Sequence, residues 1–99
     1  MGRLPVIQND AGDKAGRDHN TYGFSMWLAG GGVRGGCVYG ETDEFGHKAV
    51  TDVVTHCDYH ATLLHLFGLD NDHLTYLRNG MAQSLLDGQP SRVVREILA

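Results

Sequence analysis

Residues 16–36 constrain the chain more than any other stretch. They read GRDHN, then TYGFSMWLA, then GGGVRGG: a polar cluster, an apolar run and a glycine-rich turn. The run Tyr22–Ala29 predicts a strand, with Phe24, Met26 and Leu28 on one face and Ser25, Trp27 and Ala29 on the other. Both faces are largely apolar, which predicts a strand covered on both sides. Arg17, Asp18, His19 and Asn20 then stand at the mouth of that strand. Polar side chains at the end of a buried strand are where α/β proteins tend to place their chemistry. Asp18 and His19 are also two of the side chains that hold metals best. The competing reading is a hydrogen-bonded network at a strand entrance, with Asp18 paired to Arg17. The residues alone leave both open.

The rest of the chain supplies short elements. Gly2–Ile7 reads as an extended piece, with Pro5 turning it away from helix. Gln8–Ala15 is polar and reads as a loop. Cys37–Tyr39 and Ala49–Val54 read as short strands flanking a polar loop, Gly40–Lys48. Asp58–Phe67 predicts a helix: Asp58 suits an N-cap, Tyr59, Leu63, Leu66 and Phe67 share a side, and Gly68 stands where a helix-ending glycine belongs. Asp70–Asn79 fits a loop or a helical turn, and Met81–Leu86 is ambiguous. Ser91–Leu98 predicts a second helix, capped by Ser91 and lined by Val93, Val94, Ile97 and Leu98.

Ninety-nine residues suffice for one small domain with a modest core. A net charge of −4 argues against nucleic acid and against an anionic membrane surface as partner. No apolar run is long enough to span a bilayer, and MGRLPVIQ lacks the apolar core of a signal peptide. Cys37 and Cys57 are too few for a disulfide framework; two free thiols are the expectation, with one bridge as the alternative.

Two motifs invite chemistry. Gly30–Gly35 fits G-x-G-x-x-G after an expected strand, with Asp52 near the spacing of a ribose contact. A dinucleotide site needs a helix to begin at the last glycine. Here Gly36-Cys37-Val38-Tyr39-Gly40 follows, which reads as strand and turn, so the stretch is a connection needing positive φ. His56-Cys57-x-x-His60 offers two histidines at i, i+4. His56 falls before the expected cap, so this reading does not place the two on one face. His60 and His65 lie on different faces, and His47 and His73 read as solvated loop side chains.

The order GRDHN, FSMWLAGGGVRGG, GETDEFGHKAV, DYHATLLHLFGLD, LTY and VVREILA resembles the C-terminal part of DUF1501 proteins of the planctomycete type. That family in turn resembles the sulfatases and the alkaline-phosphatase superfamily. The resemblance covers nearly the whole chain but only about the last quarter of a typical member. It implies an α/β fold: residues 1–99 as a single partial domain of an αβα sandwich, with a few strands and two helices. FSMWLAGGGVRGG looks like the superfamily strand that follows a metal-binding histidine, which puts His19 at that position. Asp58-Tyr59-His60-Ala61-Thr62 takes the place of a structural helix start.

The implied activity is metal-dependent hydrolysis of sulfate or phosphate esters. His19 and Asp18 would be metal ligands, and Arg17 and Asn20 would bind anionic oxygens. The cofactor of a full-length member would be zinc, calcium or magnesium. Met1-Gly2-Arg3-Leu4-Pro5 keeps the G-R-x-P of the family's Ser-Glu-Phe-Gly-Arg-Thr-Pro-like stretch and lacks its acidic residue. The superfamily's nucleophile belongs to a portion N-terminal to these residues, so no residue here is expected to be catalytic and the chain alone is expected to be inactive. Full-length relatives are expected to be exported. Two partners are expected: a second copy, or a complementary N-terminal chain. The alternative function is a non-enzymatic module that oligomerises or docks.

Overall fold

The computed structural model describes residues 2–7 and 12–99. The chain is mixed α/β, with one α-helix and three two-stranded antiparallel sheets among the described residues. It divides into two units, one running to Leu28 and including Tyr39–Val53, the other Ala29–Val38 with Val54–Ala99.

In the first unit, β1 (Gly2–Arg3) pairs with β2 (His19–Asn20), Gly2 opposite Asn20 and Arg3 opposite His19. Leu4 donates its N–H to Asp18 O at 2.9 Å and continues the pairing. The expected extended piece Gly2–Ile7 is thus present over residues 2–4, and a bend follows at Pro5 and Val6. Of the expected loop Gln8–Ala15, residues 8–11 lie outside the described residues, and Gly12–Lys14 is a 3₁₀ turn. The expected third strand is present as β4 (Ala49–Thr51), paired with β3 (Glu41–Thr42) through a register shift. The loop between them is wound on one carboxylate. Asp43 accepts the N–H groups of Phe45, His47 and Lys48, at 3.2, 2.8 and 3.2 Å. The His47 N–H first, then those of Lys48 and Phe45, hold the Asp43 carboxyl below its ordinary value against a smaller opposing effect of burial.

Tyr22–Ala29 is not a strand, contrary to expectation. Its first residues are held: Tyr22 O accepts the N–H of Ala49 at 2.9 Å. A Cβ on Gly23 would meet Ala49 N at 2.8 Å, and one on Gly2 would meet Phe24 Cβ at 2.7 Å, so both glycines permit contacts that no other residue allows. Beyond them the run lies alongside no strand of the described residues. A strand covered on both faces exists only between neighbours that supply hydrogen bonds and cover. Without them the side chains stay exposed: Trp27 is 85 % exposed, and Phe24 and Met26 are also exposed. Cys37–Tyr39 likewise joins no ladder.

The second unit is built on α1 (His56–Leu66). Its N-cap is Thr55, not the expected Asp58. The Thr55 hydroxyl accepts Asp58 N–H at 3.1 Å and the Asp58 carboxylate accepts Thr55 N–H at 3.0 Å, a reciprocal capping box. At the other end Gly68 adopts φ 78°, its N–H bonding His65 O while Leu69 N–H bonds Leu64 O. This Schellman closure is what the glycine predicts. Cys57 and Ala61 face inward and meet Leu86 in a small buried cluster. Both cysteines are free.

β5 (Thr75–Arg78) and β6 (Met81–Ser84) form a hairpin closed by Asn79 (φ 52°) and Gly80 (φ 77°). Positive φ at both positions is the I′ geometry that matches strand twist. The expected second helix is absent. Residues 91–94 form no regular element and Arg95–Ile97 forms one 3₁₀ turn. Side chains of α1 hold the segment instead. Asp58 Oδ1 accepts Arg92 N–H at 2.9 Å, and Thr62 Oγ1 accepts Val94 N–H at 2.9 Å while donating to Asp58 O at 2.7 Å. Both amides would lack partners in the first turn of a helix begun at Ser91, and here these bonds fix where the segment lies. Val94, 1 % exposed, gains about 1.5 kcal/mol or more from burial there.

The glycine-rich turn packs on this same C-terminal segment. Val33 bridges Leu98, Arg34 N–H bonds Ile97 O at 2.8 Å, and Ala99 N–H bonds Gly32 O at 2.8 Å. Gly32 holds φ 94° to make that contact. Arg34 also donates from its guanidinium to Glu96 O at 2.8 Å. No helix starts at Gly35, so the glycines serve as a docking turn, not a pyrophosphate cradle.

Candidate functional site

The cluster Arg17-Asp18-His19-Asn20 lies on β2 and the residues leading into it. Strand alternation divides the last two side chains: His19 is exposed and Asn20 is 1 % exposed. Asn20 is spent on the fold. Its amide N–H₂ donates to His47 O at 2.9 Å and its amide oxygen accepts Tyr22 N–H at 2.9 Å. The same two residues meet edge to face, ring centroids 5.2 Å apart. Asn20 therefore stitches β2 to the start of the apolar run and to the end of the Asp43 loop. This is the rigid base on which His19 stands.

Asp18 Oδ1 accepts the backbone N–H of His19 at 2.7 Å, which fixes the carboxylate against the backbone at the start of β2. Among the described residues, Asp18 Oδ2 makes no hydrogen bond and no ion pair joins Arg17 to Asp18. Arg17 is exposed, and its carbonyl accepts a hydrogen bond from the Arg3 guanidinium at 2.9 Å, tying β1 to the cluster. An exposed imidazole and an exposed carboxylate, consecutive in sequence and next to an exposed arginine, are the residue types that suit a divalent cation and an anion. Two ligands do not close a site, and no three His, Cys, Asp or Glu side chains among the described residues gather around one point.

His47 is half-buried against Tyr22, where the sequence suggested a solvated loop side chain. His73 is exposed but paired, its Nδ1 2.7 Å from Asp70 Oδ2. That hydrogen bond first, and the Asp70 charge second, raise the His73 imidazole above its ordinary value. Asp70 is lowered in turn, first by His73 and then by the Asp72 N–H. In the second unit an open cleft of about 590 Å³ is lined by polar groups including His65, Asp72, Ser91 and Arg95.

Sequence reasoning overlooked the supports of the cluster. Asp43 followed by Glu44-Phe45-Gly46 carries a recognisable signal, an aspartate opening a glycine-containing turn. The pairing of Arg3 with His19 carries none, since two-residue strands lack periodicity.

No curated protein matches the chain, and no solved structure does. One family model does match, that of the protein of unknown function DUF1501, over residues 1–98. With the match spanning almost every residue, the chain belongs to the DUF1501 family.

Proposed function

We propose that the chain carries one corner of a metal-dependent site that hydrolyses sulfate or phosphate esters, within an alkaline-phosphatase-like αβα architecture completed by further polypeptide. The observation that carries the reading is the exposed His19–Asp18 pair on a base stitched by Asn20. In it, His19 offers a neutral imidazole and Asp18 its second oxygen to zinc, calcium or magnesium. Arg17 faces the anionic oxygens of the ester, and Asn20 orients β2 from beneath. A bound metal would supply charge stabilisation to the transferred group. The chain alone turns nothing over in this reading, because the superfamily's nucleophile would come from the further polypeptide.

The test is addition of the N-terminal portion of a longer family member in trans, assayed on aryl sulfate and aryl phosphate. Turnover that needs both parts and falls on His19→Ala supports the proposal. Turnover by the 99-residue chain alone, lost on His19→Ala, overturns it.

The second reading is a non-enzymatic module that oligomerises or docks. It rests on the exposed Trp27, Phe24 and Met26. A stable oligomer with no metal response at His19 would favour it.

A further inference from the structure

The cap at Thr55 changes the meaning of His56-Cys57-x-x-His60. With Thr55 as N-cap, His56 is the first residue inside α1 and His60 stands four residues on, within the same helix. Residues at i and i+4 are neighbours on one face, their Cβ atoms about 5–6 Å apart. Both side chains are exposed. We propose that His56 and His60 form a two-imidazole site for a borderline transition-metal ion such as zinc, on the outer face of the first turns of α1.

The surroundings select these two and exclude the rest. Cys57 lies between them in sequence but about 100° around the helix from His56, is 5 % exposed and packs inward with Ala61 and Leu86, so the remaining coordination positions go to water. His56 Nε2 rests 3.4 Å from Cys57 Sγ. That is a weak contact, which turning the ring outward exchanges for a metal bond. His60 meets the Tyr59 ring edge to face, centroids 5.5 Å apart, which leaves the imidazole on the surface. A cation near a helix N-terminus opposes the macrodipole. The Asp58 carboxylate in the same turn offsets this with a fixed negative charge. Soft-to-borderline ions prefer imidazole, whereas calcium and magnesium prefer oxygen, so the site discriminates by ligand type. It is separate in sequence and in unit from the His19 pair, and it does not rest on the hydrolase reading.

The test is a zinc titration of the 99-residue chain, following all six imidazoles by NMR. The expected result is that His56 and His60 shift together with one midpoint, and that calcium moves neither. In His60→Ala the His56 response weakens on the order of a hundredfold, because the second ligand no longer acts at high effective concentration. Zinc at about a hundredfold excess over its wild-type Kd also raises the wild-type melting midpoint by several degrees and that of His60→Ala by only a small fraction of that. His56→Ala is the reciprocal variant; both positions are exposed, so neither substitution removes core packing. A His56 response of full strength in His60→Ala, or no shift of the pair at millimolar zinc, overturns the proposal.

Discussion

The Asp58 carboxylate accepts the backbone N–H of Arg92 at 2.9 Å, across 34 residues of chain. The same group caps its own helix through Thr55, so one side chain holds both the start of α1 and the path of the C-terminal segment. Burial by itself raises the Asp58 carboxyl; the N–H groups of Thr55 and Arg92, the Thr55 hydroxyl and the Arg92 charge together outweigh it and leave the group below its ordinary value.

Asp58→Ala is expected to destabilise the chain by about 2–4 kcal/mol, since it removes the cap and leaves the amide of Arg92 without its acceptor. In the wild type the contribution of Asp58 is present above the ordinary carboxylate pKa and is lost as pH falls through the lowered folded value. Chemical denaturation from pH 7 down to pH 2 checks this. The wild type loses stability across the acid range, and Asp58→Ala shows a shallower loss. Parallel curves would contradict it.

His73 supplies the opposite sign. Its folded value is raised, so its pairing with Asp70 stabilises below the ordinary imidazole pKa and is lost as pH rises through the raised value. Both groups are solvent-exposed, so the effect on global stability is small. Asp70→Asn is expected to return the His73 titration midpoint toward that of a free imidazole, read by NMR. An unchanged midpoint would show that the pair does not form in solution.

Gly23→Ala is expected to cost about 1–3 kcal/mol, the usual consequence of forcing atoms into an occupied space. The new Cβ meets backbone atoms of Lys48 and Ala49, which cannot swing aside as a side-chain tip can. Amide hydrogen exchange gives the local readout. Ala49, whose N–H bonds Tyr22 O, should lose protection in the variant, while Val94 in the other unit should keep it.

Trp27 is the probe of association. An uncharged apolar segment with both faces in water favours burial against another polypeptide. The chain is expected to associate with rising concentration, with a blue shift of Trp27 fluorescence, and Trp27→Glu is expected to shift sedimentation toward the monomer. A strictly monomeric wild type at high concentration would count against this.

How much the sequence disclosed varies by element, for physical reasons. The body of α1 and its closure at Gly68 were legible because both depend on residues near in sequence. The cap was legible too: Thr55-His56-Cys57-Asp58 has capping-box spacing, which outranks a lone aspartate. Asn79-Gly80 between Thr75–Arg78 and Met81–Ser84 is a strong hairpin signal that apolar pattern alone obscured. Tyr22–Ala29 and Ser91–Leu98 misled because their state is decided elsewhere: the first by neighbours a strand requires, the second by packing on α1, where Val94 is buried and Asp58 and Thr62 hold two of its amides. At the candidate site, His19 and Asp18 were readable by residue type. The burial of Asn20 was not, because it depends on His47, 27 residues away.

The two side chains that grip the C-terminal segment also set a measure. Asp58 and Thr62 are one helical step of four residues apart, about 6 Å of rise. Arg92 and Val94 are two residues apart, and their N–H groups reach Asp58 Oδ1 and Thr62 Oγ1 at 2.9 Å each. Two bonds closed at once fix the register of the C-terminal segment, where a single one would leave it free to slide. Through Val33 and Leu98 that register passes to the glycine turn.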